Sequence, residues 1–309
     1  MKRCLSWIIR FEYISFGNLA MSAYGATTLR VRQIGEADIQ PVADLLARGF
    51  RDRPRQFWLS IMGCLTKRPP FAGLPKYGYL LEADRIVGVI LQIFSNQCSD
   101  GKSAIRCNVS SWYVEPTFRS YASLLVAKAL SHRDVTYLNI TPSPNTLPIL
   151  EAQGYSQYSS GIFVAVPALQ VRRETGVQVV KAAKHRPSRD EQVDQNVLMD
   201  HVAYGCISLW CKTAERAYPF VFRPSVVKGI IPSAQLVYCR DVDNFVRFAG
   251  PVGRHLALHG RPLVSIDSNG RIPGLIGKYL DAKMPKYFRG ADRPRLGDLA
   301  YTETAMFGI

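Results

Sequence analysis

Between Cys107 and Leu124 the chain gathers a thiol, paired hydroxyls, two aromatic rings and an arginine: Cys107, Ser110, Ser111, Trp112, Tyr113 and Arg119. A thiolate at Cys107 could accept an acyl group, but a cysteine buried in apolar surroundings stays protonated and inert. A helix that opens directly from a strand end, as the pattern after Val114 suggests, aims free N–H groups and the positive end of its dipole outward, which makes a ready anion site. Glu82, on a strand, could serve as a base if it faced a cleft; the ordinary reading is a solvated carboxylate. His255 and His259 stand four apart on a helical pattern, yet without an adjacent Glu or a third ligand they do not make a zinc site. No P-loop, dinucleotide fingerprint or G-x-S-x-G elbow occurs.

The elements that must position these groups are legible as periodicities. Residues 29–33 alternate like a strand. Ile39, Val42, Ala43, Leu45, Leu46 and Phe50 recur at helical spacing, and 55–66 reads as a second helix, ended by Pro69-Pro70. Residues 77–95 suggest a hairpin turning at Asp84-Arg85. A polar loop at 96–103, a strand at 105–114, a helix at 119–131 and a buried-type strand at 135–140 follow. A short helix near 145–153 ends at Gly154, and 155–166 reads as a closing pair of strands. The order is β-α-α-β-β-β-α-β-α-β-β, and the unit from 105 to 140 requires a parallel crossover.

Residues 169–190 turn basic and read as a linker carrying one strand at 177–180. Beyond it lie a helix at 190–204, strands at 206–211, 218–222 and 234–239, a helix at 241–259 and a strand at 262–266. The Gly- and Pro-rich tail suggests a strand around 299–307. Ser131-His132-Arg133-Asp134 before VTYLNI echoes Leu258-His259-Gly260-Arg261 before PLVSID. That echo suggests a second α/β domain that repeats the first in degenerate form, although any two helix-to-strand junctions look alike. The expected division is an N-terminal extension at 1–26 with Met21 as an alternative start, a first domain at 27–168, the linker at 169–190 and a C-terminal α/β domain at 191–309.

With 47% hydrophobic and 20% charged residues, the 309-residue chain has the profile of a soluble globular protein, and no apolar run approaches a membrane span. The net charge of +15 is shared by both halves and attracts anions in general. The seven cysteines form no C-x-x-C pair; they suggest reduced thiols, a cytoplasmic location and no metal site. No RNA- or DNA-binding pattern accompanies the basic charge, so nucleic acid is not an expected partner.

The element order resembles the GNAT superfamily of acyl-CoA N-acyltransferases over residues 27–168. Val114, Pro116, Phe118 and Arg119 match the segment that ends the family's fourth strand and opens the next helix. Leu150-Glu151-Ala152-Gln153-Gly154-Tyr155 resembles its last helix, with a closing Gly-aromatic pair. The resemblance implies a mixed central sheet flanked by helices, with acetyl-CoA or another acyl-CoA as cosubstrate. Coenzyme A pyrophosphate would be cradled by Arg119, Ser120, Tyr121, Ala122, Ser123 and Leu124, although the family has small residues where Leu124 stands. The thioester would lie near Trp112 and Val114, and Asn145 would take the place of the Asn that precedes the last helix.

The family's usual catalytic Tyr position is Leu150 here, which leaves Ser110, Ser111 and Tyr155 as candidates for proton handling. The implied reaction is transfer of an acyl group, acetyl in the simplest case, to an amine-bearing acceptor. Arg51, Arg53, Arg55, Phe57 and Trp58 lie where relatives contact acceptor, which points to an anionic or amphipathic molecule. The missing Tyr equally suits a non-catalytic acyl-CoA- or partner-binding module. A homodimer is a further expectation.

Overall fold

The computed structural model describes residues 29–308 apart from 100–101, 144–145, 171–175 and 228. The expected extension at 1–26 and Asn145 therefore lie outside the described residues. The first half runs β1 (Arg30–Gln33), α1 (Ile39–Gly49), α2 (Arg55–Thr66), β2 (Gly78–Glu82), β3 (Ile86–Ser99), β4 (Lys102–Val114), α3 (Ala122–Ala129), β5 (Val135–Asn139), α4 (Leu147–Ala152) and β6 (Ser156–Ala165). The second runs β7 (Gln178–Lys181), α5 (Gln192–Ala203), β8 (Ile207–Lys212), β9 (Ala217–Val227), β10 (Ile231–Cys239), α6 (Val242–Leu258), β11 (Leu263–Ser268), β12 (Gly277–Arg289) and α7 (Glu303–Phe307).

All twelve strands form one mixed sheet in the order β1-β2-β3-β4-β5-β12-β6-β11-β10-β9-β8-β7. Read inward from either edge, five strands follow in chain order and the sixth comes from the other half. β4 runs parallel to β5, as β10 does to β11, and the remaining pairs are antiparallel. The second half thus repeats the strand connections of the first, as the echo between β5 and β11 suggests.

Strand alternation sends the two faces of the sheet into different cores. Leu80 packs with Val42, Leu45, Trp58 and Ile61 of α1 and α2, whereas its neighbours Tyr79 and Leu81 pack with Leu125, Val126 and Ala129 of α3. In the second half Phe245, Phe248, Val252 and Leu256 of α6 cover Phe220, Phe222 and Val264. Truncating one of these fully buried side chains to Ala costs about 2–5 kcal/mol.

Three expectations need correction. Residues 155–166 are one strand, not a pair, because Gly161 is a point of close approach and not a turn: a Cβ there would collide with the Leu280 carbonyl of β12. The loop expected at 96–103 is mostly strand, since β3 and β4 continue their ladder to Ser99↔Lys102. The tail does not end in a strand. Its strand is β12, hidden in the sequence by an outward bulge at 282–285 where Ala282 and Met284 take positive φ, and residues 303–307 form the short helix α7.

Candidate active site

β4 and β5 pair only from Ile105↔Val135 to Asn108↔Leu138 and then part. A bulge bends β4 at that point. Leu91 of β3 faces Ser110 and Val89 faces Tyr113, so Ser111 and Trp112 oppose Ile90 alone, and Ser111 is held at φ 49°. The parted ends open a cavity of about 260 Å³. Its walls come from Val109–Trp112 of β4, Val126 of α3 and Leu130 just after it, Asn139 at the end of β5 and Thr141 beyond it, Leu150 of α4, Tyr155, and Phe50, Asp52, Arg53 and Trp58 around the α1–α2 turn.

Glu303, from the C-terminal helix α7, also lines this cavity. Only 2% of the residue is exposed. Its N–H donates to Asn108 Oδ1 at 2.6 Å, and its carboxylate accepts from the Ser110 hydroxyl and from Thr141 Oγ1, the latter at 2.5 Å. Ser110 and Ser111 hydroxyls lie 3.0 Å apart, which extends the chain of polar groups. Burial pushes the Glu303 carboxyl above the usual carboxylate range, against the opposing effect of its three hydrogen bonds. Nothing local in the sequence marks it: Glu303 is 193 residues from Ser110. The only hint is one acid in an otherwise small and apolar ending, TETAMFGI.

Of the expected site residues, Ser110, Ser111, Trp112 and Tyr155 line the cavity. Tyr155 is buried, and that burial raises its phenol well above the ordinary value. The buried indole N–H groups of Trp58 and Trp112 have no hydrogen-bond partner among the described residues. Val114 is buried in the core beneath α3. The expected cradle stands apart from the cavity: Arg119, Ser120, Tyr121, Ser123 and Leu124 are exposed and Ala122 is half-buried. A 3-10 turn over Pro116–Tyr121 intervenes between β4 and α3, with the Ala122 N–H donating to the Arg119 carbonyl.

Other groups fall away from the chemistry. Cys107 is fully buried and its thiol is pushed well up. Glu82 is bound by Arg30 at 2.6 Å and Arg32 at 2.9 Å, which hold its carboxyl down at about 2. Glu115, just beyond β4, is buried between Arg85 and Arg48 at 2.6 and 3.2 Å. His255 and His259 stack at 4.6 Å, and no group of three metal-binding side chains occurs among the described residues. Arg55 is taken by Asp44 and Gln40, while Arg53 lies over the Phe57 ring at 4.9 Å and 3.5 Å from Asp52. The arginine cluster is thus largely neutralised by its own neighbours.

No protein-family model matches the sequence, and no curated protein does. Solved structures do match in shape. A Pyrococcus horikoshii protein described as a candidate acetyltransferase superposes with a TM-score of 0.54 at 13% identity, covering 92% of this chain and 96% of its own. A GCN5-related N-acetyltransferase from Kribbella flavida gives 0.55 at 14% identity over 86% of this chain and 72% of its own, and one from Anabaena variabilis gives 0.54 at 11% over 85% and 72%. The fold is that of the GNAT acyltransferases. The likeness spans both halves and so extends beyond the 27–168 region that carries the sequence motifs.

Proposed function

We propose that the chain transfers an acyl group from acyl-CoA to an amine, with Glu303 as general base. The observation that carries this reading is the Glu303 carboxylate at the parting of β4 and β5. An alkyl amine is protonated at neutral pH and must lose a proton before its nitrogen can attack a thioester. A buried carboxylate with a raised pKa is a better match for that proton than an exposed one. Beyond Asn108 the edge of β4 that faces β5 has no strand partner among the described residues, so its N–H groups are available to the thioester carbonyl and to the oxyanion that develops on it.

The reaction then runs in a fixed order. The ammonium proton passes through Glu303 to solvent, the amine nitrogen bonds to the thioester carbon and gives its second proton to the Glu303 carboxylate, the C–S bond breaks and the thiolate takes a proton. Tyr155 is the phenol in the cavity wall and our candidate donor, kept protonated by its burial. In this reading residues 27–168 form the acyl-CoA-binding unit, with Arg119 and the first turn of α3 on the phosphates, and residues 191–309 complete the site by supplying the base. The cavity wall nearest the α1–α2 turn offers Phe50 and Trp58 beside the Asp52–Arg53 pair, which suits an acceptor with an apolar body and no net negative charge.

Calorimetric titration with acetyl-CoA, followed by thiol release with a panel of primary amines, tests the proposal. Saturable binding and turnover that is lost in Glu303→Gln are expected. Absence of binding to acetyl-CoA and longer acyl-CoAs sinks it.

A further inference from the structure

The second half has its own parted strand pair. β10 and β11 run parallel from Ser233↔Leu263 to Gln235↔Ser265 and then separate, with a register shift in β10 between Leu236 and Tyr238. Beyond that point β10 keeps β9 on one side, through Tyr238↔Val221 and Cys239↔Phe220, and its other edge has lost β11. That edge is not empty. Residues 297–299 lie along it as an isolated antiparallel bridge: the Leu299 N–H donates to the Val237 carbonyl at 2.7 Å, Tyr238 pairs with Asp298, and the Cys239 N–H donates to the Gly297 carbonyl at 2.9 Å. Gly297 fits because its φ is +75° and a side chain there would meet Cys239 Sγ at 2.7 Å. The helix that follows β10 is closed to anions as well. Asp241 caps α6 by accepting from the Asp243 N–H at 3.0 Å, so two carboxylates stand where a phosphate would approach.

From this seat the segment crosses to the first half. Arg106, Asn108 and Ser110 alternate on one face of β4, and all three grip it. Arg106 donates to the Ala300 carbonyl at 2.6 Å and to the Asp298 carboxylate at 3.4 Å, while Asn108 and Ser110 hold Glu303. From the other side His201 of α5 accepts the Tyr301 N–H at 3.1 Å, at a residue held at φ 57°.

We propose that residues 297–299 are a built-in occupant of the second parted strand pair, so that each chain holds one acyl-CoA, and that Arg106 and His201 are positioning residues for Glu303. The second half is then a holder and not a second catalytic unit. The one-ligand count and the role of Glu303 rest on the acyltransferase reading; the seat of the segment does not.

Three measurements on the full chain test this. Calorimetry with acetyl-CoA should give one site per chain, and two sites overturn the proposal. Leu299→Pro, which removes the donor to Val237, should lower kcat about 30-fold or more while acetyl-CoA Kd stays within about threefold, and should shift the acid limb of the kcat–pH profile as Glu303 leaves its buried place. Unchanged kcat, or equal losses in Kd and kcat with no pH shift, overturns it. Hydrogen exchange on the unaltered protein covers a variant that does not fold: the Leu299 and Cys239 amides should be as protected as those of the β9–β10 ladder, and loop-like exchange overturns the seat. Protection without any acetyl-CoA binding leaves the seat standing and removes the acyltransferase reading instead.

Discussion

The two parted strand pairs, β4 with β5 and β10 with β11, share a topology and differ in what fills them. The first encloses a cavity with a buried carboxylate, two paired serines and indole N–H groups unpartnered among the described residues. The second is closed by a backbone segment drawn from the chain's own end. Repeating a fold therefore does not repeat a site. The same bend that leaves a strand edge beside a cavity in one half offers it to a peptide segment in the other, where the segment satisfies the unpaired backbone groups.

The largest expected effect lies at Glu303. Glu303→Gln should lower kcat by about 10²–10⁴-fold, the range for loss of a general base, with little change in acetyl-CoA affinity. The sign of its stability effect is opposite. A carboxyl whose pKa is raised in the folded state stabilises fully only below its unfolded pKa, and that stabilisation is lost as pH rises through the folded value. At neutral pH the Gln variant should therefore melt higher, by about 2 °C, and the gain should vanish in acid, where the native carboxyl is protonated too. A variant that is both inactive and less stable at neutral pH would argue that Glu303 is a structural tie and would remove the chemical contrast between the two strand pairs.

Next in size is Arg106→Ala. It leaves the Asp298 carboxylate, 3% exposed, with Arg295 at 3.2 Å as its remaining ion-pair partner, and should cost about 3–5 kcal/mol in denaturant unfolding. A cost below about 1 kcal/mol would mean that the segment is held from the second half alone.

His201 gives the same comparison a pH dependence. Because its Nε2 accepts from the Tyr301 N–H, the proton sits on Nδ1, which donates to the Val197 carbonyl at 2.7 Å. Burial lowers its pKa to about 4, against a stabilising pull from that carbonyl. A depressed folded pKa contributes stability that is present above about 6.5 and lost as pH falls toward 4, here about 3 kcal/mol in total. His201→Gln keeps an acceptor for Tyr301 and removes the titration, so its stability should decline less across that window. An identical decline would assign the pH dependence to other groups.

Most of the fold is visible in periodicity. The boundaries of α2 and α6, the β2–β3 hairpin and the β4–α3–β5 crossover follow from local alternation and helical spacing. What escapes is non-local. β6 reads as two strands, whereas it is one, and Gly161 within it lets β12 approach. β12 itself is masked by its bulge. The chemistry divides the same way: Ser110, Ser111, Trp112 and Tyr155 are legible because the family resemblance aligns their neighbours, whereas Glu303 enters the site through a tail whose path depends on β10 having lost its partner. No spacing along the chain encodes that dependence.

The smallest effect is the most discriminating for the phosphate end of the site. Arg119 is exposed, so a single ion pair to a phosphate there is worth about 1 kcal/mol or less, and Arg119→Ala should weaken acetyl-CoA binding by no more than about tenfold. The loss should shrink as salt is raised. Turnover of acetyl-pantetheine, which carries the thioester without the nucleotide phosphates, should be indifferent to the substitution, because the cavity residues proposed to meet the thioester are untouched. The converse exchange sharpens the contrast with α6, where Asp241 and Asp243 hold the corresponding helix end. Introducing Asp at position 120 should weaken acetyl-CoA binding more than Arg119→Ala does, since it adds repulsion where the arginine variant only removes attraction. Equal effects on acetyl-CoA and acetyl-pantetheine would show that the 3-10 turn over Pro116–Tyr121 and the start of α3 do not meet the phosphates, and would leave the cavity as the remaining candidate for acyl-CoA recognition.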